Sequence, residues 1–129
     1  MRFIVPVSPI PAPRPRVTKQ GWSYYPKRYK DWRKTVGEML PDILTDTGLE
    51  APLEGPLLVA AKFIVKRPKT TKLSHPRGDL DNFEKSLWDA LTTAQVWLDD
   101  VQIVCSHSSK EWAKPGEEGK IEVMIKCKS

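Results

Sequence analysis

Asp79 and Asp81, followed four residues later by Lys85 and further along by the pair Asp99-Asp100, are the residues whose types and spacing point to chemistry. Taken singly, Asp79 or Asp81 reads as a helix start, because aspartate is favoured at the N-cap and in the first turn. Taken together they have a second meaning. The segment just before them, residues 62–78, carries six basic residues and no acidic one. Carboxylates clustered beside phosphate-binding cations repel one another, and a divalent cation relieves that repulsion. Magnesium takes hard oxygen ligands and keeps several waters, so a few carboxylates and a phosphate suit it. The chemistry implied is metal-assisted phosphodiester hydrolysis, with Asp79, Asp81 and one of Asp99 and Asp100 as ligands. Lys85 lies one helical turn after Asp81, placed to contact the phosphate or to orient the attacking water. The plainer reading of Lys85 is an i, i+4 ion pair with Asp81 or Asp89, worth about 0.3–0.5 kcal/mol, and the two readings are compatible.

Other chemistries find no support. A calcium EF-hand starting at Asp79 needs Gly at its sixth position and Glu at its twelfth, where this chain has Glu84 and Ala90. There is no P-loop and no HExxH pattern, so neither a nucleotide cofactor nor zincin chemistry is expected. His75 reads as a loop residue and His107 as a strand residue. Cys105 and Cys127 alternate with apolar residues and are expected to be buried and inert; two cysteines make no disulfide framework.

The elements that must position these groups follow from periodicity. Residues 2–7 read as a strand that Pro6 confines to an edge or ends. The stretch SPIPAPRPR, residues 8–16, holds four prolines and reads as a stiff extended arm carrying Arg14 and Arg16. A small hairpin is expected around Gly21, then a helix from Pro26 to about Leu40, ending before Pro41. Tyr29, Trp32, Val36, Met39 and Leu40 form its apolar face. Leu57–Val65 is nearly continuously apolar and reads as a strand covered on both faces. A second helix runs from Asp79 to about Thr93. Its Leu80, Phe83, Leu87, Ala90 and Leu91 fall on one face, with Asp81, Lys85 and Asp89 opposite. Strands are expected at Val101–His107 and Ile121–Cys127, paired as a hairpin with a long loop. If the second helix packs on the sheet, Asp99 or Asp100 returns near the helix start. The order β, α, β, α, β, β predicts a small α+β domain, residues 1–129, with a mixed sheet of about four strands and two main helices.

With 40% hydrophobic and 29% charged residues, the chain reads as globular rather than disordered, and no apolar run approaches the ~20 residues of a membrane span. No secretory signal is seen at Met1, and a reducing cytoplasm is the default. The net charge of +5 is unevenly distributed. Residues 1–37 hold nine bases and one acid, and residues 38–61 hold five acids and no base. Two basic segments around an acidic one suit a nucleic-acid backbone. Arg14, Arg16, Lys19, Lys66, Arg67, Lys69, Lys72 and Arg77 are the phosphate-contact candidates. Trp22, Tyr24 and Tyr25 suit either base stacking or packing.

Several of these segments also resemble a known family. Asp79-Leu80-Asp81-Asn82 with Lys85, Asp89-Ala90-Leu91-Thr92, and Trp97-Leu98-Asp99-Asp100 are similar to the RusA-type Holliday junction resolvases. The lead Pro11-Ala12-Pro13-Arg14-Pro15-Arg16 and the stretch Tyr25-Pro26-Lys27 to Lys30 resemble many bacterial and phage members. The resemblance implies a homodimeric, magnesium-dependent endonuclease that nicks four-way DNA symmetrically, in recombination and repair, leaving 5′-phosphate and 3′-hydroxyl ends. It assigns catalysis to Asp79, Asp81 and Asp100 and an essential role to Lys85. The competing expectations are a non-catalytic binding protein for branched DNA, or a magnesium nuclease acting on flaps or single strands.

Overall fold

The computed structural model of the chain describes residues 1–128. The elements are β1 (Arg2–Val5), β2 (Arg16–Val17), β3 (Ser23–Tyr24), α1 (Lys27–Asp46), β4 (Leu57–Val65), α2 (Leu80–Thr93), β5 (Ile103–Trp112) and β6 (Lys120–Cys127), with a 3-10 turn over Asp100–Gln102. β2 and β3 form the small hairpin expected around Gly21. The other strands make one mixed sheet in the order β1-β6-β4-β5. This is the α+β arrangement of two helices and four strands that the periodicity predicts.

Three details differ from expectation. First, β5 and β6 are not a hairpin. β4 lies between them, parallel to β5 and antiparallel to β6. The connection from β4 to β5 runs through α2, and a helical crossover returns the chain for parallel pairing. Second, β4 is covered on one face only. Leu57, Val59, Ala61 and Phe63 are buried, whereas Leu58 and Ala60 are partly open and Lys62 is exposed. Small and aliphatic residues on the second face made a one-sided strand look two-sided. Third, α1 continues through Pro41 to Asp46. An interior proline costs ~3 kcal/mol. Here the helix persists because Leu40 and Leu44, on either side of the proline, are both buried.

The covered face of the sheet carries Phe3, Val5, Leu57, Val59, Phe63, Ile121, Val123 and Ile125, and both helices pack their apolar stripes on it. Phe83 of α2 meets Phe63 of β4 with ring centroids 5.5 Å apart. Trp97 is fully buried beyond the end of α2, edge-on to Trp88, and donates its indole N–H to Thr92 Oγ1 at 2.6 Å. Burying such aromatics fixes the α2 axis against the sheet and hence the placement of every residue on its outer face. The arm after β1 is fastened too. Lys66 N–H donates to Ser8 Oγ at 3.0 Å, and Trp32 Nε1 donates to Ser8 O at 3.0 Å. The two cysteines are not buried as expected: Cys105 is half-buried and Cys127 is exposed, and both are free thiols.

Candidate active site

Every residue the sequence singles out for catalysis lies on the connection between β4 and β5. Asp79 is the N-cap of α2, with extended backbone (φ −74°, ψ 141°), but its side chain makes no capping hydrogen bond. Its carboxylate is therefore not spent on the helix. Asp81 sits in the first turn, exposed, and no cation among the described residues pairs with it. One turn on, Lys85 Nζ chooses Asp89 over Asp81: it lies 3.3 Å from Asp89 Oδ2. The Asp89 charge raises the Lys85 pKa against the opposing effect of partial burial.

Asp89 is the residue that sequence reasoning undervalued. There it is given no role beyond that of a possible ion-pair partner of Lys85. In the structure it also faces Arg33 of α1, with Oδ2 3.9 Å from Nη1, while Arg33 Nη2 donates to the Asp89 carbonyl at 3.3 Å and to Thr93 Oγ1 at 3.0 Å. The i+4 spacing to Lys85 was a readable signal; Arg33, which comes from the other helix, was not.

Asp99 and Asp100 occupy different roles. Asp99 caps the 3-10 turn, its Oδ1 accepting from Val101 N–H at 3.0 Å. Gln102 completes the box from the other side, with Oε1 accepting from Asp99 N–H at 3.1 Å and Leu98 N–H at 2.9 Å. Its Nε2 donates to the carbonyls of Leu53 at 2.9 Å and Gly55 at 3.0 Å. The turn is thus tied to the loop before β4, and Asp100 is left without structural duty. Partial desolvation raises the Asp100 pKa, as do its neighbour Asp99 and the Asp89 charge, while Lys85 lowers it. Asp100 therefore feels the charges of Lys85 and Asp89 on α2. Among the described residues no three acidic, histidine or cysteine side chains are gathered closely enough to hold a metal ion.

The cationic candidates fall into two places. Arg14 and Arg16 are exposed on the arm and at β2, and Lys19 is exposed in the β2–β3 turn. Lys66, Arg67, Lys69 and Arg77 line a groove of about 670 Å³ between the arm and the loop before α2, with Arg28 of α1. Lys72 is exposed on the same loop but does not line the groove. Lys66 is neutralised by Glu118, 2.8 Å away. Of the aromatics, Trp22 is 73% exposed and Tyr24 43%, whereas Trp32 and Trp97 are core residues, as expected.

No helix among the described residues is long and apolar enough to cross a membrane. Residues 6–126 match the model of the family described as Endodeoxyribonuclease RusA. The chain is 31% identical over 112 residues to the crossover junction endodeoxyribonuclease RusA of Escherichia coli (strain K12), covering 87% of this chain and 76% of that protein. It is also 31% identical over 94 residues to the enzyme of that name from Enterobacteria phage 82, covering 73% of this chain and 68% of the relative. The unspent carboxylates beside a lysine, the cation-lined groove next to them and a match over nearly the whole chain converge, and this protein belongs to the RusA family of endodeoxyribonucleases.

Proposed function

We propose that this chain, acting in the cytoplasm as one domain over residues 1–129, is a magnesium-dependent resolvase of four-way DNA junctions that serves recombination and repair. The observation that carries the reading is that Asp79, Asp81 and Asp100 make no capping bond or ion pair among the described residues, whereas Glu84 accepts from Ser108 Oγ, Asp89 pairs with Lys85 and Asp99 caps the 3-10 turn. The donors are hard oxygens, and partial burial together with the charges of Asp99 and Asp89 raises the Asp100 pKa, a penalty on its charged form that a bound divalent cation would relieve. Asp79, Asp81 and Asp100 would hold the ion in part through the waters that magnesium retains, since among the described residues no three acidic side chains stand close enough to ligate it together. Bound there, the cation would lower the pKa of a water and stabilise charge on the phosphate.

The remaining work belongs to the chain. Lys85, steadied by Asp89, contacts the scissile phosphate and stabilises the charge that develops on it. The cations of the arm and of the loop before α2, namely Arg14, Arg16, Lys19, Lys66, Arg67, Lys69, Lys72 and Arg77, hold the DNA backbone. A homodimer follows from the substrate, since two matched nicks across a four-way junction need two identical sites related by a two-fold axis.

The test is cleavage of a synthetic four-way junction, with and without magnesium, mapped at nucleotide resolution. Paired symmetric nicks that require the metal are expected. The Asp79→Asn variant should lose nicking while junction binding survives. Equal loss of both would favour a protein that only binds branched DNA. Cleavage confined to flaps or single strands would favour a different nuclease.

A further inference from the structure

The groove between the proline arm and the loop before α2 is more than a basic patch. Its floor and walls are apolar: Pro9, Pro11, Leu73, Pro76, Phe83 and Trp112. Its charged rim is formed by Arg28, Lys66, Arg67, Lys69 and Arg77, and no acidic residue lines it. Only Lys66 has an ion-pair partner among the described residues.

The walls are held in place from several directions. Lys66 N–H is bonded to Ser8 Oγ at 3.0 Å, Ala12 N–H to Asn82 O at 2.9 Å and Trp112 Nε1 to Leu73 O at 2.9 Å. Gly78 (φ +99°) lets the arm close against the loop, because a Cβ there would stand 3.0 Å from Pro11 Cγ. The concavity is built into the fold, and its volume of about 670 Å³ lies within the range of ordinary small-ligand sites.

Duplex DNA presents a convex ridge of phosphates, with its bases stacked inside. A flat cationic surface is enough to hold it, and an apolar hollow adds nothing. An apolar hollow rimmed by unpaired cations fits a nucleotide that has left the stack, its base against the prolines and the indole and its flanking phosphates on the arginines. The groove also ends at Gly78, the residue before Asp79. We infer that the groove between the proline arm and the loop before α2 seats one unstacked nucleotide of the DNA beside the scissile phosphate, so that an available unpaired base, and not charge alone, selects branched DNA. The inference rests on the nuclease reading for its location beside the cut, but its test does not depend on cleavage.

The experiment measures binding by fluorescence anisotropy in EDTA, using a four-way junction in which each nucleotide flanking the branch is replaced in turn by an abasic residue. Phosphates and charge stay the same. At one or two positions the abasic junction should bind about tenfold more weakly, the size expected for one stacked base. Leu73→Ala should shrink that difference at the same positions while leaving affinity for linear duplex unchanged. Should Leu73→Ala fail to fold, a short oligothymidylate supplies the second readout: it should quench tryptophan fluorescence in the wild type, and Trp112→Phe should remove most of the quench. Equal affinity for intact and abasic junctions at every position overturns the proposal, as does a polyglutamate peptide that displaces the junction as well as oligothymidylate does. Cleavage assayed in parallel keeps the two readings apart. Base dependence without nicking sinks the nuclease but not the groove; nicking without base dependence sinks the groove alone.

Discussion

One added methyl group should have opposite effects at two glycines. Gly119 opens β6 against the arm, and a Cβ there would lie 2.6 Å from Ile64 O, 2.6 Å from Ser8 Oγ and 2.7 Å from Ser8 Cα. Two of these three atoms are backbone, and they cannot swing away. Ser8 is itself pinned, its Oγ accepting from Lys66 N–H and its carbonyl from Trp32 Nε1, both at 3.0 Å. Overpacking a tight site costs about 1–3 kcal/mol, and each displaced hydrogen bond adds about 0.5–1.5 kcal/mol. Gly119→Ala should therefore destabilise the protein by about 2–5 kcal/mol. Gly37 lies in the interior of α1, is exposed, and a Cβ there meets nothing within 4 Å. Gly37→Ala should stabilise by about 0.5–1 kcal/mol, because alanine loses less backbone freedom in a helix. Urea unfolding at equilibrium reads both, provided the slope m is unchanged. If Gly119→Ala stayed within 0.5 kcal/mol of the wild type, the close approach of arm and sheet would be wrong; if Gly37→Ala proved destabilising, the open helical setting of Gly37 would be.

Three further outcomes are expected. Tyr29 is buried and its hydroxyl has no hydrogen-bond partner, so Tyr29→Phe should leave stability unchanged or raise it by up to about 1 kcal/mol at neutral pH. Burial also raises the Tyr29 pKa above 10.0, with Arg33 opposing; the native state holds this proton longer than the unfolded chain. Stability should fall as pH climbs past about 10, and thermal melts of the phenylalanine variant should show a shallower alkaline decline. Gln95 follows the end of α2 with φ +60°, while the N–H groups of Gln95 and Val96 close the helix end on Thr92 O and Leu91 O. Gln95→Gly should gain about 0.5–1 kcal/mol in the same melts, since glycine takes this backbone conformation without a Cβ penalty. Gln102→Ala removes four hydrogen bonds, two that close the Asp99-Asp100 turn at Leu98 and Asp99 and two that tie it to Leu53 and Gly55. With water replacing some of them, it should cost about 1–3 kcal/mol, and it should reduce junction nicking at least tenfold while binding persists; unimpaired nicking would show that Asp100 needs no such anchoring.

The legible features of the chain are those that depend on neighbours in sequence. The apolar periodicity from Leu80 to Leu91 located α2, and Asp79 stands at its N-cap as expected. Gly21 marked the β2–β3 hairpin, and Pro6 lies just past the end of an edge strand. Features set by distant partners were not legible. Pro41 is tolerated because Leu40 and Leu44 are buried under long-range packing that no local rule registers. The pairing of β5 with β4 rather than β6 depends on which way the crossover returns. Asp89 gains its place from Arg33, 56 residues away, and Gln102 from carbonyls 47 and 49 residues away. The Asp99-Asp100 pair shows the same division. The pair stood out by its spacing from Asp79 and Asp81, but which of the two serves as the cap is set by a 3-10 turn over residues where a strand was expected to begin.

The strand order has a consequence for synthesis. β6, which follows the other strands in the chain, sits between β1 and β4 and supplies antiparallel partners to both. Until the ribosome has delivered Ile121, Val123 and Ile125, the amino-terminal strand has no neighbour and the surface on which α2 rests is missing its middle. A half-translated or prematurely stopped chain therefore has the acidic segment in hand but no platform to hold it still. DNA-cutting activity should therefore appear only once β6 has been made and has docked between its two partners.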